Sequence, residues 1–364
     1  MPTPEEHYGK IMDHHLKILQ DLQYSSGLFA ASSKSVSTGY DKSWLRDNFY
    51  ECLAFEVLGR NEVVVKTYKA LLRIFLKHEA KIDWAIEQKP DARHKYIHAR
   101  YHPETFDEFW EEWGNKQHDA VGAILFKLGM LEKRRVRILE TPDEVRITQK
   151  LVQYLQSIEY WHDPDSGMWE EDEEIHASSV GACVAGLRAI RNVQGIQVPL
   201  SLIRKGQKTL KELLPRESEK KFVDLALLSL IYPYHVVTPE QRAEILEHVE
   251  YHLVRRHGVI RYKNDYYYNR NKDGYSEEAE WTFGLSWLSI IYRQMGEHAK
   301  AKQHLRKALK TVTADGEEPE LYFSDSDQYN ENTPLGWAES LLIVAISKMI
   351  EKGEEDEIQR HTQR

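Results

Sequence analysis

The sequence predicts an all-α protein built as one closed toroid of six helical hairpins, an (α/α)6 barrel. Apolar residues recur at helical spacing through most of the chain, and several helix starts carry the same capping signature. Stretches of similar length alternate with short and long loops, and 364 residues suit six pairs. An open stacked solenoid is the alternative, although no repeat at the sequence level supports it.

Taken in order, Tyr8, Ile11, Met12, Leu19 and Leu22 form the first apolar stripe. A helix over 43–58 follows, and then the stripe Val64, Tyr68, Leu71, Leu72 and Phe75. Helices are expected at 107–131 and 143–160, before the stripe Val180, Cys183, Val184, Leu187 and Ile190. The remaining spans are 200–214, 221–232, 238–255, 278–295, 297–312 and 335–351, roughly twelve helices in all. Three starts are nearly identical: Thr3-Pro4-Glu5-Glu6, Thr141-Pro142-Asp143-Glu144 and Thr238-Pro239-Glu240-Gln241. In each, Thr caps, Pro occupies the first helical position, and Glu or Gln reaches back to the cap. Segments 88–100 and 262–274 are polar or aromatic and lead into more helix, so they read as long functional loops. One domain over 1–352 is expected, with a charged tail at 353–364.

A composition of 41% hydrophobic and 29% charged residues is that of a folded globular protein. The net charge of −9 disfavours nucleic acid and anionic membranes, which need clustered Lys and Arg, and favours a neutral small-molecule partner. The start of the chain has no basic-then-apolar run, and no stretch of about 18 apolar residues occurs, so a cytoplasmic protein is expected. Cys52 and Cys183 are too few and too isolated for a disulfide framework or a zinc site. His14-His15 and the pair His252 and His257 lack further ligands at suitable spacing, so neither a metal nor another cofactor is predicted.

Aromatic and charged residues gather between the helices. In Trp44-Leu45-Arg46-Asp47 a guanidinium fork beside a carboxylate suits sugar hydroxyls, and the indole offers a flat apolar face. The alternative is a salt bridge at a helix start with a buried Trp. Next comes the segment Trp110 to Asp119, which includes Trp113 and Gln117; Asp119 could contact substrate or cap a helix. Arg261 to Asn269, with Asp265 inside it, is too aromatic for a solvated loop and too polar for a core strand, and so reads as a binding rim. Two carboxylates stand out. Glu170 in Gly167-Met168-Trp169-Glu170-Glu171 opens an acidic run that could be a solvated face, but packing on Trp169 beside other carboxylates would raise its proton affinity, as a general acid needs. Glu320 in Pro319-Glu320-Leu321-Tyr322 also follows acids. Together, one protonated and one ionised carboxyl suffice for glycoside hydrolysis.

In this order these motifs, with Leu335-Gly336-Trp337, resemble glycoside hydrolase family 15, the glucoamylases. The resemblance is closer still to the hydrolase-like domain of phosphorylase kinase regulatory subunits, through Gly27-Leu28-Phe29-Ala30-Ala31-Ser32, His176-Ala177-Ser178-Ser179-Val180-Gly181 and Leu213-Leu214-Pro215-Arg216. It implies an (α/α)6 barrel and inverting release of β-glucose from the non-reducing ends of α-glucosides. Glu170 would be the general acid. Glu320 would be the general base, since it stands as far before Trp337 as the family's base stands before its matching Trp. Arg46 and Asp47 would hold the outer hydroxyls of the terminal glucose, Tyr40 would lie close to the reacting carbon, and Arg261 with Asp265 would serve further hydroxyls. Trp113 would stack on the sugar and Glu171 would reach the next unit, while Trp44, Gln117, Asp119, Trp169 and Trp337 complete the expected site. Inversion needs room for water, so the carboxyl groups should stand roughly 6.5–9.5 Å apart. With no starch-binding module in these residues, an intracellular oligosaccharide or small α-glucoside is the expected substrate. Kinship with the kinase subunits keeps open a protein that binds a glucoside without turning it over. A different helical-barrel enzyme, such as an unsaturated glucuronyl hydrolase, would need a more basic pocket.

Overall fold

The structure is a computed structural model and describes residues 4–111, 114–269 and 277–351. Its thirteen described helices are α1 (Pro4–Leu22), α2 (Leu45–Val57), α3 (Asn61–Lys77), α4 (Glu79–Glu87), α5 (His118–Lys133), α6 (Pro142–Ser157), α7 (Ala177–Ile190), α8 (Leu200–Leu213), α9 (Leu228–Ile231), α10 (Pro239–His252), α11 (Phe283–Gln294), α12 (His298–Ala308) and α13 (Gly336–Ile350). Their packing closes a ring. Helices α2, α5, α7, α9, α11 and α13 each contact the next, and α13 returns to α2. Around them stand α1, α3, α6, α8, α10 and α12, with α4 as an extra outer element packed on α6. Each outer helix, α3 by way of α4, is thus followed by an inner one, and a closed (α/α)6 barrel replaces the open-solenoid alternative.

The two rings differ in sequence because they differ in surroundings. Every residue of α2 from Leu45 to Phe55 is buried, as is every residue of α13 from Gly336 to Ser347. A helix enclosed on all sides needs no polar face. The outer helix α8 instead buries the single stripe Leu202, Ile203, Gly206 and Leu210. Inner helices α5 and α7 come together through glycine: a Cβ on Gly122 would lie 2.5 Å from the Ala182 carbonyl carbon, and one on Gly129 would lie 2.4 Å from that of Ala189. No side chain fits there.

The Thr141 and Thr238 capping boxes are both formed, each Thr hydroxyl accepting the N–H of the third helical residue while that residue's side chain accepts from the cap. Thr3, the 112–113 and 270–276 segments and the tail from 352 lie outside the described residues. Several expectations are corrected. The helix expected over 107–131 begins only at His118; before it, 107–111 and 114–117 are not helical, and Glu108 instead pairs with Tyr101 across an isolated bridge. The 221–232 helix shrinks to a 3₁₀ turn at Leu225–Leu227 continued by α9. The 278–295 helix starts at Phe283, since Glu280–Trp281 forms a short strand. Helix α4 has no counterpart in the sequence reading; it restarts one residue after α3 with only Ile82 and Ala85 buried, too little apolar signal to separate it. Among the described residues no helix is long and apolar enough to cross a membrane.

Candidate active site

Because outer helices return the chain, successive inner helices run the same way and present their N-terminal turns at one rim. Arg46 and Asp47 open α2, Asp119 opens α5, Phe283 opens α11 and Trp337 opens α13. Trp169, Glu170 and Glu171 lie in the loop before α7. Two antiparallel two-residue ladders stiffen this rim: β1 (Ser43–Trp44) with β2 (Arg100–Tyr101), and β3 (Glu280–Trp281) with β4 (Leu321–Tyr322). The first fixes the entry to Arg46, and the second fixes the residue after Glu320. The rim encloses a cavity of about 430 Å³, lined among others by Tyr40, Trp44, Arg46, Asp47, Trp169, Glu170, Glu171, Arg261, Glu320 and Trp337. Such a volume suits a small ligand.

On one wall Glu320 is buried and held by three donors. The amides of Asn330 and Asn332 donate to Oε2 at 2.5 and 2.7 Å, and the Tyr40 hydroxyl donates to Oε1 at 2.9 Å. Burial raises this carboxyl above its ordinary range, and the three donors work against that rise by favouring the ionised form. Tyr40 also approaches the hydroxyl of Tyr267 at 3.4 Å, and both tyrosines line the cavity.

On the other wall Glu170 occupies a left-handed backbone conformation, with φ at 62°, rare for a residue with a side chain. Gly114 makes this loop possible, because a Cβ there would lie 2.7 Å from the Glu170 carbonyl oxygen. Glu170 is ion-paired to the Arg46 guanidinium, whose Nη2 donates to Oε1 at 2.9 Å. Arg46 Nη1 donates to Gln117 Oε1 at 2.8 Å and to Asp119 Oδ2 at 3.2 Å. Gln117 and Asp119 therefore stand behind Arg46 and do not line the cavity. Asp119 does not cap α5, since Gln117 holds the cap position. The salt bridge and buried indole weighed for Trp44 to Asp47 do exist, but both groups line the cavity as well. Asp47 is pushed up to about 7 by burial, with Arg46 opposing and the Glu170 and Glu320 charges adding to the rise.

In the segment that begins at Arg261, that guanidinium is clamped. Its Nε and Nη2 donate to both Asp265 oxygens at 2.6 and 2.7 Å, and Nη2 also reaches Glu171 Oε1 at 2.7 Å. Asp265 thus positions Arg261 from outside the cavity lining. Glu171 further accepts the Tyr262 hydroxyl at 2.6 Å and Lys221 Nζ at 3.0 Å. Burial raises Glu171, but Arg261 and Lys221 outweigh it and hold this carboxyl below its ordinary range. The Trp169 indole donates to Asp224 Oδ1 at 2.8 Å. Trp337 closes the floor, stacked on Tyr50 at 4.0 Å and Phe283 at 4.7 Å between centroids. Trp113 lies outside the described residues.

The sequence reading did not single out Asn330, Asn332, Lys221, Asp224 or Trp281. The pair Asn330 and Asn332 had a readable sign, two amides one residue apart in a loop after a carboxylate; Lys221 and Asp224 had none, because only the chain's return toward α9 brings them to Glu171 and Trp169.

Residues 9–345 match the sequence profile of glycosyl hydrolases family 15. Among curated proteins the chain is similar to phosphorylase b kinase regulatory subunit alpha, skeletal muscle isoform, of Oryctolagus cuniculus, at 29% identity over 84% of this chain and 30% of that protein. It is also similar to the probable alpha subunit of Drosophila melanogaster, at 25% identity over 96% of this chain and 32% of that protein. The chain therefore spans about a third of the length of these relatives. Among solved structures, a glycosidase in complex with glucose superposes with a TM-score of 0.80 at 18% identity, covering 95% of this chain and 97% of that one. A bacterial glucoamylase complexed with acarbose gives 0.70 at 15% identity, covering 94% and 56%. These likenesses show a shared six-hairpin barrel, and with the family match they lead to one conclusion: the chain belongs to glycosyl hydrolases family 15.

Proposed function

We propose that the protein is an inverting, exo-acting hydrolase that releases β-glucose from the non-reducing end of small α-glucosides or α-gluco-oligosaccharides. The observation that carries this reading is that Glu170 and Glu320 line one cavity in unlike surroundings, one against a guanidinium and the other among three neutral donors. In the reaction, Glu170 delivers a proton to the glycosidic oxygen as the bond to the sugar carbon breaks. Water attacks that carbon from the opposite face and gives its proton to Glu320, so the anomeric configuration inverts. Arg46 and Asp47 take the outer hydroxyls, Arg261 takes others, and Trp44 and Trp169 supply apolar faces for the ring. Glu171, already ion-paired to Arg261, stands ready for a hydroxyl of the next unit.

The test is NMR-monitored incubation with a panel of α-linked glucose disaccharides. β-Glucose is expected as the first product of one or more of them, and Glu170→Gln and Glu320→Gln should each lower the rate by about 10²–10⁴-fold. Appearance of α-glucose first would overturn inversion. One observation favours a second reading: the curated relatives are regulatory subunits. A glucoside-binding protein without turnover would bind a member of the panel and hydrolyse none.

A further inference from the structure

The grip on Glu320 extends behind the pocket to side chains that never reach it. Glu339, in the first turn of α13 and fully buried, accepts the backbone N–H of Glu318 through Oε1 at 2.7 Å. Its other oxygen is hydrogen-bonded to Nδ1 of His15, which α1 brings in from the far end of the chain. Glu318 is buried too; its carboxyl accepts the Thr311 hydroxyl at 3.0 Å and its carbonyl accepts the Leu335 N–H at 2.8 Å. One residue on, the Thr282 hydroxyl donates to the Pro319 carbonyl at 2.5 Å, and the Glu320 N–H donates to the Asn332 carbonyl at 3.1 Å. Neither His15, Glu318 nor Glu339 lines the cavity.

Burying such groups is costly unless each is satisfied. Other titratable groups around this cluster are Glu317, with Asp315 and His14 beside it, and Tyr322, whose hydroxyl donates to the Thr311 carbonyl at 2.9 Å; the His14 ring is engaged with the Gly316 carbonyl at 3.1 Å. Among the described residues no Lys or Arg bonds to either Glu318 or Glu339. A protonated Glu339 resolves this: its hydroxyl donates to a bare Nδ1 of His15, and its carbonyl oxygen accepts from Glu318. Burial acts in the same direction, pushing Glu318 and Glu339 well above the ordinary carboxylate range and His15 down to about 4.

We propose that Glu339, oriented by His15, is the positioning residue for Glu320, fixing the backbone two residues before it so that its carboxylate meets Tyr40, Asn330 and Asn332 in one geometry. This rests on the reading of Glu320 as the base. Because the Glu339 carboxyl acts as one donor and one acceptor, Glu339→Gln reproduces it, with the amide NH₂ donating to His15 and the carbonyl accepting from Glu318. Glu339→Ala and His15→Ala do not.

On a disaccharide that the wild type hydrolyses, Glu339→Ala should lower kcat by about 10- to 100-fold with KM nearly unchanged, because a displacement of about 1 Å is enough. Glu339→Gln should restore kcat, and His15→Ala should follow Glu339→Ala more weakly, which keeps the test available if Glu339→Ala does not fold. A Gln variant as impaired as the Ala variant, or a loss confined to KM, overturns the proposal. If no disaccharide is hydrolysed by the wild type, the hydrolase reading fails by itself. Crystal structures of wild type and the Ala variant then decide the positioning role: loss of at least one of the Glu320 contacts to Tyr40, Asn330 or Asn332 is expected, and an unmoved Glu320 carboxylate overturns it.

Discussion

Asp47 follows a buried guanidinium in sequence and is still pushed up to about 7, because burial outweighs Arg46. An unfolded Asp titrates near about 3.9. A carboxyl whose folded value is higher contributes stability that is complete below the unfolded value and is lost as pH rises through the folded one. Asp47 should therefore contribute a falling slope to folding stability between about pH 4 and pH 7, against which His15, lowered to about 4, pulls the other way, and Asp47→Asn should remove that contribution, as Tm followed against pH will report. Asp224, also at about 7, supplies a further part, so Asp47→Asn alone should not abolish the slope. An unchanged slope in Asp47→Asn would assign the titration elsewhere. At this scale Trp44, Arg46, Asp47, Glu170 and Arg261, which residue type and neighbourhood singled out in the sequence, meet at one cavity. The sequence misled at Asp119, whose partner Arg46 is distant in sequence, and it was silent on Lys221, whose partner Glu171 sits in another loop.

Among the helices, the outer ones were legible because one apolar stripe against a polar face has a period, and the capping boxes at Thr141 and Thr238 announced their starts. Inner helices bury all faces, so their apolar content reveals enclosure but blurs their ends, and the expected starts at 107, 221 and 278 all came too early. The glycines of α5 carry a testable consequence of this enclosure. Gly129→Ala would place a methyl 2.4 Å from the Ala189 backbone and should destabilise by about 1–3 kcal/mol. Gly9→Ala in the outer helix α1 meets nothing within 4 Å and should stabilise by about 0.5–1 kcal/mol. Urea unfolding of the two variants checks both signs.

For the molecule as a whole, closure was the least legible property, since helix order alone fits a ring or a stack; the contact of α13 with α2 decides it. That closure has a consequence for the order of the chain itself. Helix α1 packs on α13, so the first and last helices are neighbours, while the turn at Gly195 between α7 and α8 lies at the rim opposite the pocket. A circular permutant opened at Gly195, with α13 tethered to α1 by a flexible Gly/Ser linker, should keep the helical circular-dichroism signal of the parent and its cooperative thermal unfolding. If it does, the barrel has no privileged beginning: the pocket belongs to a circle of helices, and which of them comes first along the chain is not a requirement of the architecture.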